Sequence, residues 1–190
     1  RDQDRLKESN TAHKNSVERM MRLNNSSNTR DTQSFYAEVR AVRAVTQARI
    51  TPDALLGPII DLRGAVQGWD RLIKQLGPNP VDMNRKPIAS LHSARLLAQT
   101  GKKSDAISNL QTAATILEEL TKAHPEIPSY SFELGRTYTT FVQLADDASS
   151  AQAWYRKARA KLDAAIERYP ENAQYRKALE ELKALAPVKW

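Results

Sequence analysis

The sequence predicts an all-α protein built from antiparallel helix pairs, and three observations carry that prediction. Glycine is scarce, at 6 of 190 residues, and the chain is rich in Ala, Leu, Arg, Lys and Gln, which lose little on entering a helix. Apolar residues recur three and four positions apart over long stretches, the spacing of one helical face. The second half also repeats itself at a fixed interval, as expected of stacked helical hairpins. A hydrophobic content of 41% and a charged content of 27% suit a folded, soluble chain.

Residues 1–24 read as a polar helix, with Leu6, Val17, Met20, Met21 and Leu23 gathering toward its end. Asn24-Asn25-Ser26-Ser27-Asn28-Thr29 breaks it, because these side chains compete for backbone hydrogen bonds. A second helix is predicted from about Ser34 to Arg49, with Phe35, Val39, Val42 and Val45 as its apolar face. Thr51-Pro52-Asp53 reads as the next helix start, Thr51 capping and Pro52 in the first turn, with Gly57-Pro58 able to delay or kink it. Gly77-Pro78-Asn79-Pro80 ends that helix, and this stop, running on to Pro87, divides the chain into a helical N-terminal region (1–80) and a regular array (81–190).

The array repeats with an offset of 45 residues. Ala106, Leu110, Ala113, Leu117 and Pro125 recur as Ala151, Tyr155, Ala158, Leu162 and Pro170, and Glu126, Tyr130 and Leu134 as Glu171, Tyr175 and Leu179. The small residues let a neighbouring helix approach, the large ones fill the space between, and the proline ends the helix. New helices are expected near Pro128 and Glu171.

These residues resemble the tetratricopeptide repeat family. Leu134-Gly135 with Tyr138 is similar to its helix A signature, and Ala151, Tyr155, Ala158 and Pro170 to its helix B; Ala94, Leu97 and Gly101 form a weaker first copy. The repeats are longer than the usual 34 residues. With His124-Pro125-Glu126-Ile127-Pro128-Ser129-Tyr130 and Tyr155-Arg156-Lys157-Ala158, they resemble elongated repeats of planctomycete-type bacterial proteins, which often follow a serine/threonine kinase domain. The resemblance implies a short tetratricopeptide-like α-solenoid over 81–190, closed by a C-terminal capping helix. It also implies a groove lined by His92, Arg95, Phe132, Arg136, Thr139 and Lys177. Arg95 and Arg136 would form a basic ladder suited to an acidic peptide or a C-terminal carboxylate, or would simply pair with glutamates such as Glu133 and Glu181.

The net charge of +7 raises the question of nucleic acid, but the excess is even: 13 basic and 10 acidic residues in 1–84, 16 and 12 in 85–190. With no cysteine, thiolate chemistry, disulfides and cysteine-held metals are excluded. His13, His92 and His124 lie too far apart for a local zinc pair, and His124 is expected to cap a helix end. Asp146-Asp147 reads as a helix N-cap rather than an acid–base pair. Trp69, Trp154 and Trp190 read as packing residues, and phosphate loops and kinase motifs are absent.

The expected activity is partner recognition by a protein-interaction scaffold, without catalysis or a cofactor. Two other classes fit the same residues: an accessory region of a bacterial serine/threonine kinase, and a helical-repeat RNA binder. The chain opens at Arg1 without a methionine, so a longer parent is expected, cytoplasmic or anchored outside by an upstream span.

Overall fold

The computed structural model describes residues 29–186 and, before them, positions 4, 7–8, 11–12, 14–16, 18–19 and 22. Leu6, His13, Val17, Met20, Met21, Leu23, the run 24–28 and Trp190 lie outside the described residues. Residues 29–186 form seven α-helices and no strand. They are α1 (Arg30–Ile50), α2 (Leu56–Leu76), α3 (Pro80–Gln99), α4 (Lys103–Ala123), α5 (Pro128–Leu144), α6 (Ala148–Arg168) and α7 (Ala173–Lys183). The chain divides into two compact units, Arg1–Lys102 and Lys103–Trp190.

In the first unit α1 begins behind Thr29, whose hydroxyl accepts from the Thr32 N–H in a reciprocal capping box. It ends where the Thr51 N–H donates to the Gln47 carbonyl at 2.9 Å. Thr51 therefore closes α1 instead of opening α2, a correction to the expected start. The cause is Pro58, whose ring would clash with the carbonyl of Ala54 in a longer helix. Beginning at Leu56 keeps Pro58 in the first turn. Gly77, at φ 81°, stops α2 in the left-handed region that favours glycine.

The expected interruption does not run on to Pro87. Asn79 caps α3 by accepting from the Val81 N–H at 2.9 Å, Pro80 occupies the first turn, and Pro87 lies inside the helix. An interior proline costs about 3 kcal/mol. Burial of Leu91, Ala94 and Leu97 beyond it offsets that cost, at about 1.5–3 kcal/mol for each large side chain.

The core of this unit gathers Ala37, Ala44, Leu62, Ala65, Trp69, Leu72 and Ala89. Small residues on α1 let α2 approach closely. The apolar face expected for α1 is displaced in consequence: Val39 is buried, but Phe35 and Val42 are 47% and 42% exposed. One polar knot fastens the three helices. Buried Asp82 on α3 accepts from Arg30 Nε at 2.9 Å and from the Ser34 hydroxyl, while Trp69 Nε1 on α2 donates to Ser34 Oγ at 3.2 Å. The same guanidinium donates to the carbonyls of Leu76 and Gly77 that end α2.

In the second unit the 45-residue interval is literal. Helix α6 begins and ends 45 residues after α4, and α7 begins 45 after α5. Ala106, Leu110, Ala113 and Leu117 are fully buried, as are Ala158 and Leu162 in the next copy. The tightest approach is α5 on α6. A Cβ placed on Gly135 would lie 2.7 Å from Leu162 Cγ and 3.3 Å from the Ala158 carbonyl oxygen, so only glycine fits. Asp147 caps α6 by accepting from the Ser150 N–H at 2.8 Å, and Asn172 caps α7.

Two outcomes follow for stability. Asp82→Ala strands Arg30 and Ser34 and is expected to cost about 3–5 kcal/mol in chemical denaturation, with Asp82→Asn costing less. Gly135→Ala overpacks the α5–α6 contact by about 1–3 kcal/mol. In a Leu162→Ala background its cost should fall, which a double-mutant cycle reads directly.

Candidate functional site

An open groove runs between α1 and α3. The contacts 34 to 82 and 38 to 85 rise together in number, so the two helices lie parallel, with α2 antiparallel beneath them. Because α1 spends its alanines on α2, its larger apolar residues are left along the groove. Trp69 floors a recess of about 380 Å³ whose walls are Ala41, Val42 and Val45 from α1 and Ile88 and Ala89 from α3. Glu38, Thr46, Arg49, Arg85 and His92 form its rim. A second recess of about 390 Å³ lies toward the helix starts, with Phe35, Val81 and Asp82 among its lining residues. Arg85 lines both, and its Nη2 lies 2.8 Å from Glu38 Oε2 across the groove.

Of the residues singled out from sequence, His92 lies on this rim and Arg95 is half-buried one turn further along α3. The others belong to the second unit. Phe132 is buried and stacks on Tyr175 of α7 with ring centroids 4.5 Å apart. Arg136 lies over the Phe132 ring at 5.5 Å and pairs with Glu133 at 3.1 Å, the glutamate pairing weighed above. Thr139 is buried and its hydroxyl donates to the Gly135 carbonyl. Lys177 is exposed on α7. Phe132 and Arg136 are thus brought together, whereas Thr139 is committed to its own helix.

The remaining chemistry-bearing residues have structural partners. His124 turns Nδ1 to Glu126 at 3.3 Å and its ring edge to Tyr130, so its side chain serves the α4–α5 turn rather than a helix carbonyl. Asp147 is held below the usual carboxylate range by the Ser150 N–H, and Asp146 pairs with Lys103. Trp154 stacks on Phe141 at 4.4 Å, with Lys157 Nζ over its ring. The Tyr138 hydroxyl donates to Glu118; burial, then that carboxylate, pushes the phenol well above its ordinary pKa. Burial, then Glu133, raises Tyr175. Among the described residues no group of three or more His, Asp or Glu could hold a metal, and no helix is long and apolar enough to cross a membrane.

Sequence reasoning missed Glu38, Arg85, Ile88 and the Trp69 floor. The signal was present as seven-residue spacing: Phe35, Val42 and Arg49 on α1, and Val81 and Ile88 on α3.

A family model described as "Plant specific mitochondrial import receptor subunit TOM20" matches residues 80–188. No curated protein matches the chain significantly. The family match overturns the resemblance to elongated tetratricopeptide repeats of planctomycete-type bacterial proteins, and with it the bacterial kinase-accessory reading. The alanine, large-residue and proline spacing that suggested them reports how helix pairs pack, which unrelated helical families share.

The raised Tyr138 pKa has a definite sign. The folded state holds that proton more tightly than the unfolded chain, whose tyrosine titrates near pH 10. The extra stability is therefore complete below about pH 10 and is lost as pH rises above it. Tyr138→Phe is expected to cost about 1 kcal/mol at neutral pH and to flatten the alkaline fall, as read by denaturation at pH 7 to 11.

Proposed function

The chain belongs to the family of the plant-specific mitochondrial import receptor subunit TOM20, and we propose that it acts as a receptor subunit for precursor proteins, taking a helical segment of its partner into the α1–α3 groove. Import receptors of this family work by binding, not by catalysis, and protein recognition is the coarse function that membership brings. The observation that supports the groove as the recognition element is its construction: apolar walls, a tryptophan floor and a charged rim, between parallel helices. An amphipathic helix laid in such a seam buries one stripe of side chains and keeps its polar face in water. Each fully buried anchor contributes about 1.5–3 kcal/mol, so two or three supply about 3–9 kcal/mol against the cost of association, and polar contacts at the rim must add to them. A receptor of this kind would act at the mitochondrion, and the family's description supports that reading.

The test is direct binding of precursor-derived helical peptides to the full chain, followed by fluorescence anisotropy. Val45→Glu and Ile88→Glu, each placing a charge on a groove wall, should weaken binding at least about ten-fold without loss of helicity. Arg156→Glu, on the exposed face of α6, should leave it unchanged. Groove variants that bind as well as the parent chain would move the recognition site elsewhere.

A further inference from the structure

On the face of α1 opposite the groove, a separate recess lies between α1 and α2. Its volume is about 330 Å³, and its polar lining is Gln33, Tyr36 and Arg40 from α1 with Arg71 and Gln75 from α2. Gly64 and Gly68, one turn apart on α2, belong to the same lining and leave room where side chains would stand. Interior glycines weaken a helix, and each of these admits a neighbour from α1. A Cβ on Gly64 would lie 2.5 Å from both terminal nitrogens of Arg40, and one on Gly68 would lie 3.3 Å from the Ala37 Cβ. The first glycine thus seats a guanidinium against the backbone of α2, and the second brings the helices together.

Arg40 is also held by its neighbours. Its guanidinium lies over the Tyr36 ring at 5.8 Å and its Nη2 donates to Asp61 at 3.1 Å, while Arg43 donates to the other oxygen of the same carboxylate. One carboxylate therefore answers two guanidiniums. Arg71 adds a third: it is exposed, and it makes no ion pair with the described residues. Among the described residues no carboxylate lines the recess itself. Three arginines against one aspartate leave an excess of two positive charges beside the cavity. Its polar side chains all carry donors: two guanidiniums, the amides of Gln33 and Gln75, and the Tyr36 hydroxyl. A guanidinium presents five N–H groups in a rigid fork, and the bond to Asp61 uses one of those on Arg40.

We infer that this recess binds a phosphate group, with Arg40 as the fixed donor and Arg71 as the donor that meets it from the exposed side. A phosphate monoester carries about −1.5 to −2 charges at pH 7, which matches the excess, whereas a carboxylate would leave one positive charge unanswered. The site does not depend on the α1–α3 groove and stands or falls separately from it. Phosphate of this chemistry has two sources, the free ion and the headgroup of a lipid that ends in a phosphate.

The test is isothermal titration of the full chain with inorganic phosphate at low ionic strength, with acetate as the competing oxyanion. Phosphate should bind at least about ten-fold more tightly than acetate. Arg71→Gln should weaken phosphate about ten-fold, with helicity and melting temperature unchanged because the side chain is exposed. Arg156→Gln, which removes the same charge from the exposed face of α6, should have no effect. Flotation with phosphatidylcholine vesicles containing phosphatidic acid distinguishes the sources. Co-flotation that Arg71→Gln abolishes assigns the site to a lipid phosphate; phosphate binding without co-flotation assigns it to the free ion. No phosphate binding, equal affinity for acetate, or binding that Arg71→Gln leaves unchanged would overturn the site. So would an equal loss in Arg156→Gln, the mark of a general charge effect.

Discussion

A buried carboxylate between parallel helices must be neutralised and hydrogen-bonded, and in the first unit Asp82 meets that demand by drawing in Arg30 and Ser34 from α1. Ser34 in turn receives Trp69 from α2, and Arg30 reaches the carbonyls that end α2. One side chain so fixes the starts of α1 and α3 and the end of α2 in depth and rotation. The rotation decides which residues of α1 meet α2 and which are left facing α3. Small residues go inward, and the bulkier Phe35, Val42 and Val45 line the open seam.

The second unit solves a different problem by volume rather than charge. Helix α5 is enclosed on most sides, and its closest neighbour is admitted by the absence of a side chain at Gly135. Its buried hydroxyls, on Thr137, Thr139 and Thr140, bond to carbonyls four residues back, so polar groups in a packed position remain satisfied. Aromatic stacking then secures both edges, Phe132 against Tyr175 and Phe141 against Trp154. Contacts of this kind hold a scaffold rigid, the condition under which a recognition surface keeps its shape.

The fold was legible where local chemistry and long-range packing agree. Ala106, Leu110, Ala113 and Leu117 lie on one helical face and are all buried; Asp147 caps the helix it precedes. The sequence was misleading where periodicity alone had to choose between a core and a groove. Phe35 and Val42 are spaced as a core stripe, but an apolar stripe facing an open seam has the same period. Asp82 looks like an ordinary first-turn acid, since its burial depends on Arg30 and Ser34, some fifty residues upstream. Thr51 can serve either helix end, and Pro58 seven residues later determined which. As for the groove, His92 was drawn from the helix expected to line one, whereas Glu38 and Arg85 become neighbours only through tertiary structure.

The 45-residue interval in the second unit has a consequence for how such a chain can change length. From α4 to α6 the helix boundaries recur in step, and Ala158 and Leu162 repeat the burial of Ala113 and Leu117, so a duplication of 45 codons would insert one complete hairpin in frame. The faces so brought together would match only in part, since Glu180 stands 45 residues after the Gly135 that admits Leu162. The gene is thereby biased toward growth and loss by whole hairpins, with the spacing of its prolines as the lasting record of such events.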